Sequence, residues 1–371
     1  MSIRYHLGKF PPSGMRWDEL IPLLGPASAA LARYDGLLQA IPNPQVLLAP
    51  LTTQEAVLSS RIEGTQATAS EVFEFEADEA RFSAGKGDDI REVLNYRRAL
   101  AFAVGAMKDL PLSQRLLLDS HRRLMAGVRG ANKAPGEYRR IQNWIGAPGC
   151  TEETARFVPI APQLLPDAMG EWERYIHREE PDKLVQLAVV HAEFEALHPF
   201  LDGNGRLGRM IIPLFLVERG LLSSPNFFVS AYFEQDRQAY YDALLSVSAS
   251  GDWTPWCRYF LQALTSQALD NEQRARSILE LYQSMKLRIA DLTHSQHAIR
   301  ALDFIFQTPT FTGPTFEKRS EMPVPTARRI LRLLREEGIL QTLREPSGRT
   351  PGIFSHSALL RRAEGDFADH P

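Results

Sequence analysis

Between two strongly apolar stretches the chain carries His198, Pro199, Phe200, Leu201, Asp202, Gly203, Asn204, Gly205, Arg206, Leu207, Gly208 and Arg209. Proline disfavours helical geometry at the residue before it, so His198 falls at the end of the first helix and faces whatever the loop encloses. Its imidazole has the right basicity to take a proton from an alcohol near neutral pH. Gly203 and Gly205 free their amides for close approach to a ligand, and a second helix starting just after them aims its positive dipole end at the same place. Arg206 and Arg209, three apart on that helix, share a face from which both can grip successive phosphates. Asp202 supplies a hard oxygen of the kind magnesium takes beside phosphate oxygens. A base, an anion hole, a metal ligand and two cationic clamps within twelve residues point to phosphoryl or nucleotidyl transfer, which capping and tight packing alone do not explain.

The same segment resembles the Fic signature: His-Pro-Phe, a variable residue, Asp or Glu, Gly-Asn-Gly-Arg, two variable residues and Arg. Every fixed position matches. The resemblance implies a protein adenylyltransferase in which His198 deprotonates a Ser, Thr or Tyr hydroxyl that attacks the α-phosphate of ATP. Asp202 would hold Mg2+, and Asn204 with the amides of Gly203 and Gly205 would stabilise the developing charge. Arg206 and Arg209 would hold the departing pyrophosphate, with Leu207 and Gly208 in the same nucleotide-binding stretch and Phe200 anchoring the loop. Two other readings stay open: removal of AMP from a modified protein, with Glu63 orienting a water, and a DNA-binding regulator whose core merely senses nucleotide.

Upstream, Ser59, Ser60, Arg61, Ile62, Glu63 and Gly64 resemble the inhibitory helix of many Fic proteins. A Glu63 carboxylate docked on Arg209 would remove the clamp that aligns the γ-phosphate, leaving ATP in an unproductive pose, with Ser59 the first residue of the same inhibitory segment. Thr52 or Thr53 is positioned to cap this helix and Gly64 to stop it, which places it at about 52–64. Before it, leucines at helical spacing over Asp18–Ala40 predict a helix interrupted near its start by Pro22 and Pro26, and Pro42 and Pro44 break the chain.

Further helices are expected over Asp88–Lys108, Ser113–Met125, Pro162–His177, Asp182–Leu197, Leu207–Arg219 and Arg237–Ser246. Between Tyr138 and Pro159 the helical pattern lapses. Ile141 to Ile145 reads as a strand, Gly146, Pro148 and Gly149 as a turn, and Phe157 and Val158 as the returning strand. In the Fic family such a flap orients the target by adding it as a strand, with Asn143, Trp144, Ile145 and Gly146 on the nucleotide side. Tyr240 and Tyr241 are candidates for the wall of an adenine pocket.

Composition is that of a globular protein, with a formal net charge of −3 and no general attraction to polyanions. Cys150 and Cys257 are too few for a disulfide framework, which suits a cytoplasmic protein, and neither a leader nor a membrane span is expected. The segment after about residue 290 reads differently. A helix over Thr315–Glu321, a second over Thr326–Glu337 bearing Arg328, Arg329, Arg332 and Arg335, and two strands flanking Ser347–Arg349 resemble a winged helix, with Glu317, Glu321, Glu336 and Glu337 diluting its charge.

The expected fold is therefore mainly α: an N-terminal helical region (1–89) bearing the inhibitory helix, a Fic helical core with a β-hairpin flap (90–290), and a C-terminal winged-helix-like module (291–371). The expected partners are target proteins bound along the flap, and the chain itself as a target. A homodimer, and DNA or protein contact through the tail, stay open, and no membrane is expected.

Overall fold

The computed structural model describes residues 2–41 and 43–365, so the break expected at Pro42 and the last six residues of the tail lie outside the described residues. In chain order the elements are β1 (Ile3–Arg4), α1 (Trp17–Ala40), α2 (Pro44–Leu47), α3 (Ala49–Ile62), α4 (Ala69–Ala77), α5 (Ala84–Ala106), α6 (Gln114–Leu124), β2 (Phe157–Val158), α7 (Leu165–His177) and α8 (Lys183–Leu197). They continue with α9 (Asn204–Glu218), α10 (Ser230–Gln235), α11 (Arg237–Ser250), α12 (Thr254–Thr293), α13 (Ala298–Gln307), β3 (Thr310–Thr312), α14 (Gly313–Arg319), α15 (Val324–Glu336), β4 (Gln341–Arg344), β5 (Ile353–Ser355) and α16 (Ser357–Glu364). The protein is mainly helical.

Two helices near the start differ from expectation. α1 runs unbroken through Pro22 and Pro26, because both prolines lie on its exposed face, where the carbonyls they leave unbonded can meet water. Leu20, Ala27, Leu31, Tyr34 and Leu38 form its buried stripe. α3 starts at Ala49, upstream of the expected caps, and the hydroxyls of Thr52 and Thr53 bond back to the carbonyls of Leu48 and Ala49 at 3.2 and 3.1 Å. α4 was not anticipated. Its start is set by a capping box, in which Thr68 accepts from the Glu71 amide and Glu71 accepts from the Thr68 amide.

The chain forms two compact units. The first comprises Met1–Asp35, Leu58–Gly64 and Asn95–Leu269. Its centre is α8 with α9, each buried along most of its length, as a helix apolar on all sides requires. α7 and α11 pack on α8, and α6 on α9. Asp182 caps α8 by accepting from the amides of Leu184 and Val185 at 2.8 and 3.0 Å. The indoles of Trp172 and Trp256 donate to the carbonyls of Val190 and Ala188, fixing large rings against the same helix.

In place of a full hairpin, Ile145 exchanges two backbone hydrogen bonds with Phe157, at 2.9 and 3.0 Å. The other edge of β2 is taken by β1, which pairs parallel to it, Ile3 with Phe157 and Arg4 with Val158. A lone pair of strands is marginal by itself, and the N-terminal strand supplies a third partner that no local pattern announces.

The second unit comprises Gly36–Val57, Thr65–Leu94 and Asp270–Pro371. It contains an antiparallel sheet of order β3-β5-β4, with Phe311 opposite Phe354 and Thr342 opposite the same residue. Phe304, Phe311 of β3 and Phe316 pack on one another, and Ile330 and Leu334 of α15 are buried in the same unit. The four arginines of α15 are all engaged. Arg328 pairs with Glu317 at 2.9 Å, Arg329 donates to the Thr293 carbonyl at 3.0 Å, Arg332 lies 3.9 Å from Glu336, and Arg335 pairs with Glu345 at 3.0 Å. None of the described helices is long and apolar enough to cross a membrane.

Candidate functional site

α8 ends at His198, whose backbone is left-handed with φ 46° and ψ 60°. That conformation is uncommon outside glycine and asparagine, and it needs support from its surroundings. Arg139 provides it. Its Nε donates to the His198 carbonyl at 2.9 Å, its Nη2 donates to the Leu197 carbonyl at 3.3 Å and also to that of Ile160, and its amide donates to the Pro199 carbonyl at 2.9 Å. Burial pushes the Arg139 pKa down to about 10. Nothing in the sequence near Arg139 marks it out, because its partners are backbone carbonyls, those of Leu197 and His198 lying 58 and 59 residues away.

The turn after His198 is tied to itself. Asn204 Nδ2 donates to the Phe200 carbonyl at 2.8 Å while Oδ1 accepts from the Phe200 amide at 2.8 Å. Asn143 Nδ2 donates to the same carbonyl at 3.1 Å. Both asparagine side chains are thus used to shape the loop. Phe200 is fully buried and stacks on His121, ring centroids 3.8 Å apart. His121 Nδ1 accepts from the Gly136 amide at 2.8 Å, so Nε2 carries the proton that goes to the Asp202 carbonyl at 2.9 Å. His121 was missed, although it shares the buried stripe of α6 with Leu117 and Leu124. Gly203 has φ 77°, and a Cβ there would sit 2.8 Å from Met125 Sδ.

Asp202 is partly exposed. Oδ1 accepts from the Gly203 amide at 2.7 Å and lies 3.5 Å from Arg206 Nη2, and Oδ2 pairs with Lys133 Nζ at 3.0 Å. No group of three or more metal-ligating side chains occurs among the described residues. A single carboxylate suits magnesium only where phosphate oxygens and water complete the shell, so these residues fit a nucleotide-borne metal and no standing metal centre.

Arg209, 1% exposed, points from α9 to the end of α3. Nε donates to Ser59 Oγ at 2.9 Å, and Nη2 donates to the Ser59 carbonyl and to Glu63 Oε1, both at 2.8 Å. Burial pulls the Arg209 pKa down, but the charge of Glu63 and of nearby acids outweighs it and holds the group well above its ordinary value. Glu63 lies in the turn after α3, closed by the Gly64 amide on the Arg61 carbonyl with φ 97° at Gly64. A Cβ on Gly205 would collide with the Glu63 carboxylate, so that glycine is what lets the acid reach the start of α9.

These groups open on one cavity of about 400 Å³, lined by Glu63, Ile145, Gly146, His198, Gly205, Arg209, Tyr240 and Tyr241, and also by Arg156, Phe157, Glu195, Leu244, Leu245 and Ser248. Trp144 is not in its wall and donates its indole to the Cys150 carbonyl at 2.9 Å. Leu207 is fully buried and Gly208 packs against Glu195, both behind the cavity. The two tyrosines part company. Tyr240 is buried, stacked on Phe233 and bonded to His191 at 2.9 Å, while Tyr241 reaches the Ile62 carbonyl at 3.4 Å and stands at the rim.

Within the cavity, burial pushes His198 down to about 4, against the opposing pull of Glu63 and the Glu195 carbonyl, and its Nδ1 is shielded. Burial pushes Glu195 up to about 8. One cavity therefore holds a neutral imidazole, a helix N-terminus and a buried guanidinium already neutralised by an internal acid.

Sequence comparison places this helical core with its loop between α8 and α9 in a family. The Fic/DOC family N-terminal domain matches residues 21–105 and the Fic/DOC family domain residues 111–216, together about half of the chain. The chain belongs to the Fic/DOC family. It is 29% identical over 180 residues to a probable protein adenylyltransferase of Aquifex aeolicus, covering 47% of this chain and 50% of that one. It is 27% identical over 187 residues to a protein adenylyltransferase Fic of Drosophila grimshawi, covering 49% and 35%. The chain thus spans half or less of the length of these curated relatives.

Among solved structures, a Fic family protein from Desulfovibrio desulfuricans superposes with a TM-score of 0.58 over 93% of this chain and 98% of that one, at 21% identity. A Fic domain containing signaling protein from Bacteroides thetaiotaomicron superposes with a TM-score of 0.56 over 69% and 97%, at 16% identity.

Proposed function

We propose that this protein transfers AMP from ATP to Ser, Thr or Tyr hydroxyls of target proteins and of itself, and that Glu63 restrains it. The observation that carries this reading is the convergence on one cavity of a neutral His198, the N-terminus of α9 and Arg209. His198, through Nε2 because Nδ1 is shielded, takes the proton of the attacking hydroxyl. The hydroxyl oxygen bonds to the α-phosphorus, the bond from that phosphorus to the α–β bridging oxygen breaks, and pyrophosphate leaves. Amides at the start of α9 would hold phosphate oxygens there, while Arg209, once released by Glu63, and Arg206 beside Asp202 would hold the leaving group. Asp202, once Lys133 is displaced from Oδ2, would hold Mg2+, which supplies charge neutralisation to the phosphates.

The Glu63 to Arg209 contact supports restraint within one chain, since a guanidinium bound to a carboxylate cannot align a γ-phosphate. Ile145 and Gly146 in the cavity wall, with Ile145 bridged to Phe157 of the β1–β2 pair, support a flap that positions a target strand. The element order and sheet order of the second unit support a winged-helix-like module, and the pairing of Arg328 with Glu317 and Arg335 with Glu345 on α15 favours protein contact over DNA.

The test incubates purified wild type and Glu63→Gly with α-labelled ATP and a lysate. Label on protein supports transfer. Label released from pre-modified protein would support the reverse reaction, and binding without turnover would overturn both.

A further inference from the structure

Residues 3 to 6 run directly behind part of the cavity wall. The Ile3 amide donates to the Arg156 carbonyl at 3.4 Å and the Tyr5 amide to the Val158 carbonyl at 3.0 Å, so β1 backs Arg156 and Phe157, both of which line the cavity. Phe157 in turn is bridged to Ile145 of the flap. Backbone pairing this short does not fix its own place, because a two-residue ladder is marginal and its register is weakly specified unless side chains hold it. Side chains of the same segment supply the hold. The Tyr5 hydroxyl donates to Glu193 Oε1 at 2.6 Å, and His6 Nε2 is hydrogen-bonded to Glu193 Oε2 at 2.9 Å. Burial and the Glu193 charge push the Tyr5 phenol well above its ordinary value, which keeps it a donor. Glu193 is fully buried on α8, five residues ahead of His198, or about 7.5 Å along the same helix. Covering the β2 edge does not explain this tie, since apolar residues would cover it without taking a carboxylate out of water.

Two ties thus join the flap region to the element that carries His198. Asn143 reaches the Phe200 carbonyl just beyond α8, and β2 is held through β1 and Tyr5 to Glu193 on α8 itself. The α8–α9 turn and Arg209, by contrast, are held by Asn204, Arg139 and Ser59. We infer that Tyr5 is a positioning residue for transfer: through Glu193 it sets the distance between the flap and His198, and so aligns the acceptor hydroxyl while leaving nucleotide binding to other groups. This rests on the transfer and flap readings above. Misplacing an acceptor by about 1 Å lowers turnover by on the order of a hundredfold, which is the scale on which such a tie acts.

The test takes the full chain with Glu63→Gly as parent and adds Tyr5→Phe, Glu193→Gln or Glu193→Leu. Phe keeps the ring and loses the donor, Gln keeps an oxygen that accepts from Tyr5, and Leu keeps the size and loses that oxygen. α-Labelled ATP measures labelling of the chain and of lysate proteins, dissociation constants measure ATP binding, and hydrogen exchange follows the amides of Ile145 and Phe157. Tyr5→Phe and Glu193→Leu should lower the labelling rate at saturating ATP by about ten- to a hundredfold, with ATP affinity within about threefold of the parent. In both, exchange at Ile145 and Phe157 should quicken by about tenfold while exchange along α9 stays as in the parent. Glu193→Gln should rescue most of the rate. Should Glu193→Leu fail to fold, Tyr5→Phe alone decides. An unaltered rate or unaltered exchange in Tyr5→Phe, or equal losses of rate and ATP affinity, overturns the inference and leaves the transfer reading standing. A loss in Glu193→Gln as large as in Tyr5→Phe does the same. A parent that labels nothing overturns the transfer reading, and this inference with it.

Discussion

Glu63 Oε1 lies 2.8 Å from Arg209 Nη2, and the guanidinium that makes this contact is 1% exposed. A charge-assisted contact of this kind contributes roughly 1.5 to 3 kcal/mol, about ten- to a hundredfold in an equilibrium. Glu63→Gly should therefore raise modification of self or target by about that factor, and Arg209→Ala should lower it even in the Glu63→Gly background. Labelling rates at saturating ATP decide the matter, and equal rates for wild type and Glu63→Gly would end the restraint reading.

His198→Ala should abolish transfer and leave ATP binding largely intact, because the imidazole acts on the incoming hydroxyl. More than about a tenth of normal activity would remove His198 from the role of base, since such catalysis contributes at least ~100-fold.

The pH dependence follows from the burial of that base. His198 sits at about 4, so it is neutral and ready to accept a proton throughout the range above, where an exposed imidazole would already be charged below its ordinary value. Glu63 pulls it upward, so its removal moves the value further down. A profile of kcat/KM for Glu63→Gly should show no loss from protonation of this base until below about pH 5. An acid limb centred near 6.5 would contradict the geometry.

Arg139 should behave as a positioning residue. Arg139→Gln removes the donors that hold the left-handed turn at His198, and the expected result is a fall in kcat of about ten- to a hundredfold with little change in nucleotide affinity. A rise in KM for ATP with kcat preserved would place Arg139 in binding instead.

Glu195 gives a stability prediction with a definite sign. Its folded value, about 8, lies above the unfolded 4.5, so the native chain keeps a proton that the unfolded chain releases between these values. Its contribution is fully present below the lower value and lost as pH rises towards the higher. Glu195→Gln should thus flatten the decline in Tm between about pH 5 and 8 relative to wild type. An unaltered decline would show that Glu195 ionises normally.

The signature from His198 to Arg209 was legible in the sequence because its chemistry is local: proline ends one helix, glycines open the next, and reactive side chains fall within one turn of chain. The helices α6 and α7 were legible too, since burial on one face imposes a period that short-range pattern records, and α8 and α9 stood out as long apolar runs. The suggested meeting of Glu63 with Arg209 came from family resemblance, and nothing in the periodicity of either helix requires it. Only the tertiary structure decided that Asn204 and Asn143 tie down the loop, that Trp144 leaves the cavity, and that Arg139, His121 and Lys133 support the turn. The same holds for β1, which brings His6 to Ser248 across more than two hundred residues. A hydrogen bond or a shared cavity between distant residues leaves no periodic trace along the chain, because spacing encodes which face is buried and not which neighbour buries it.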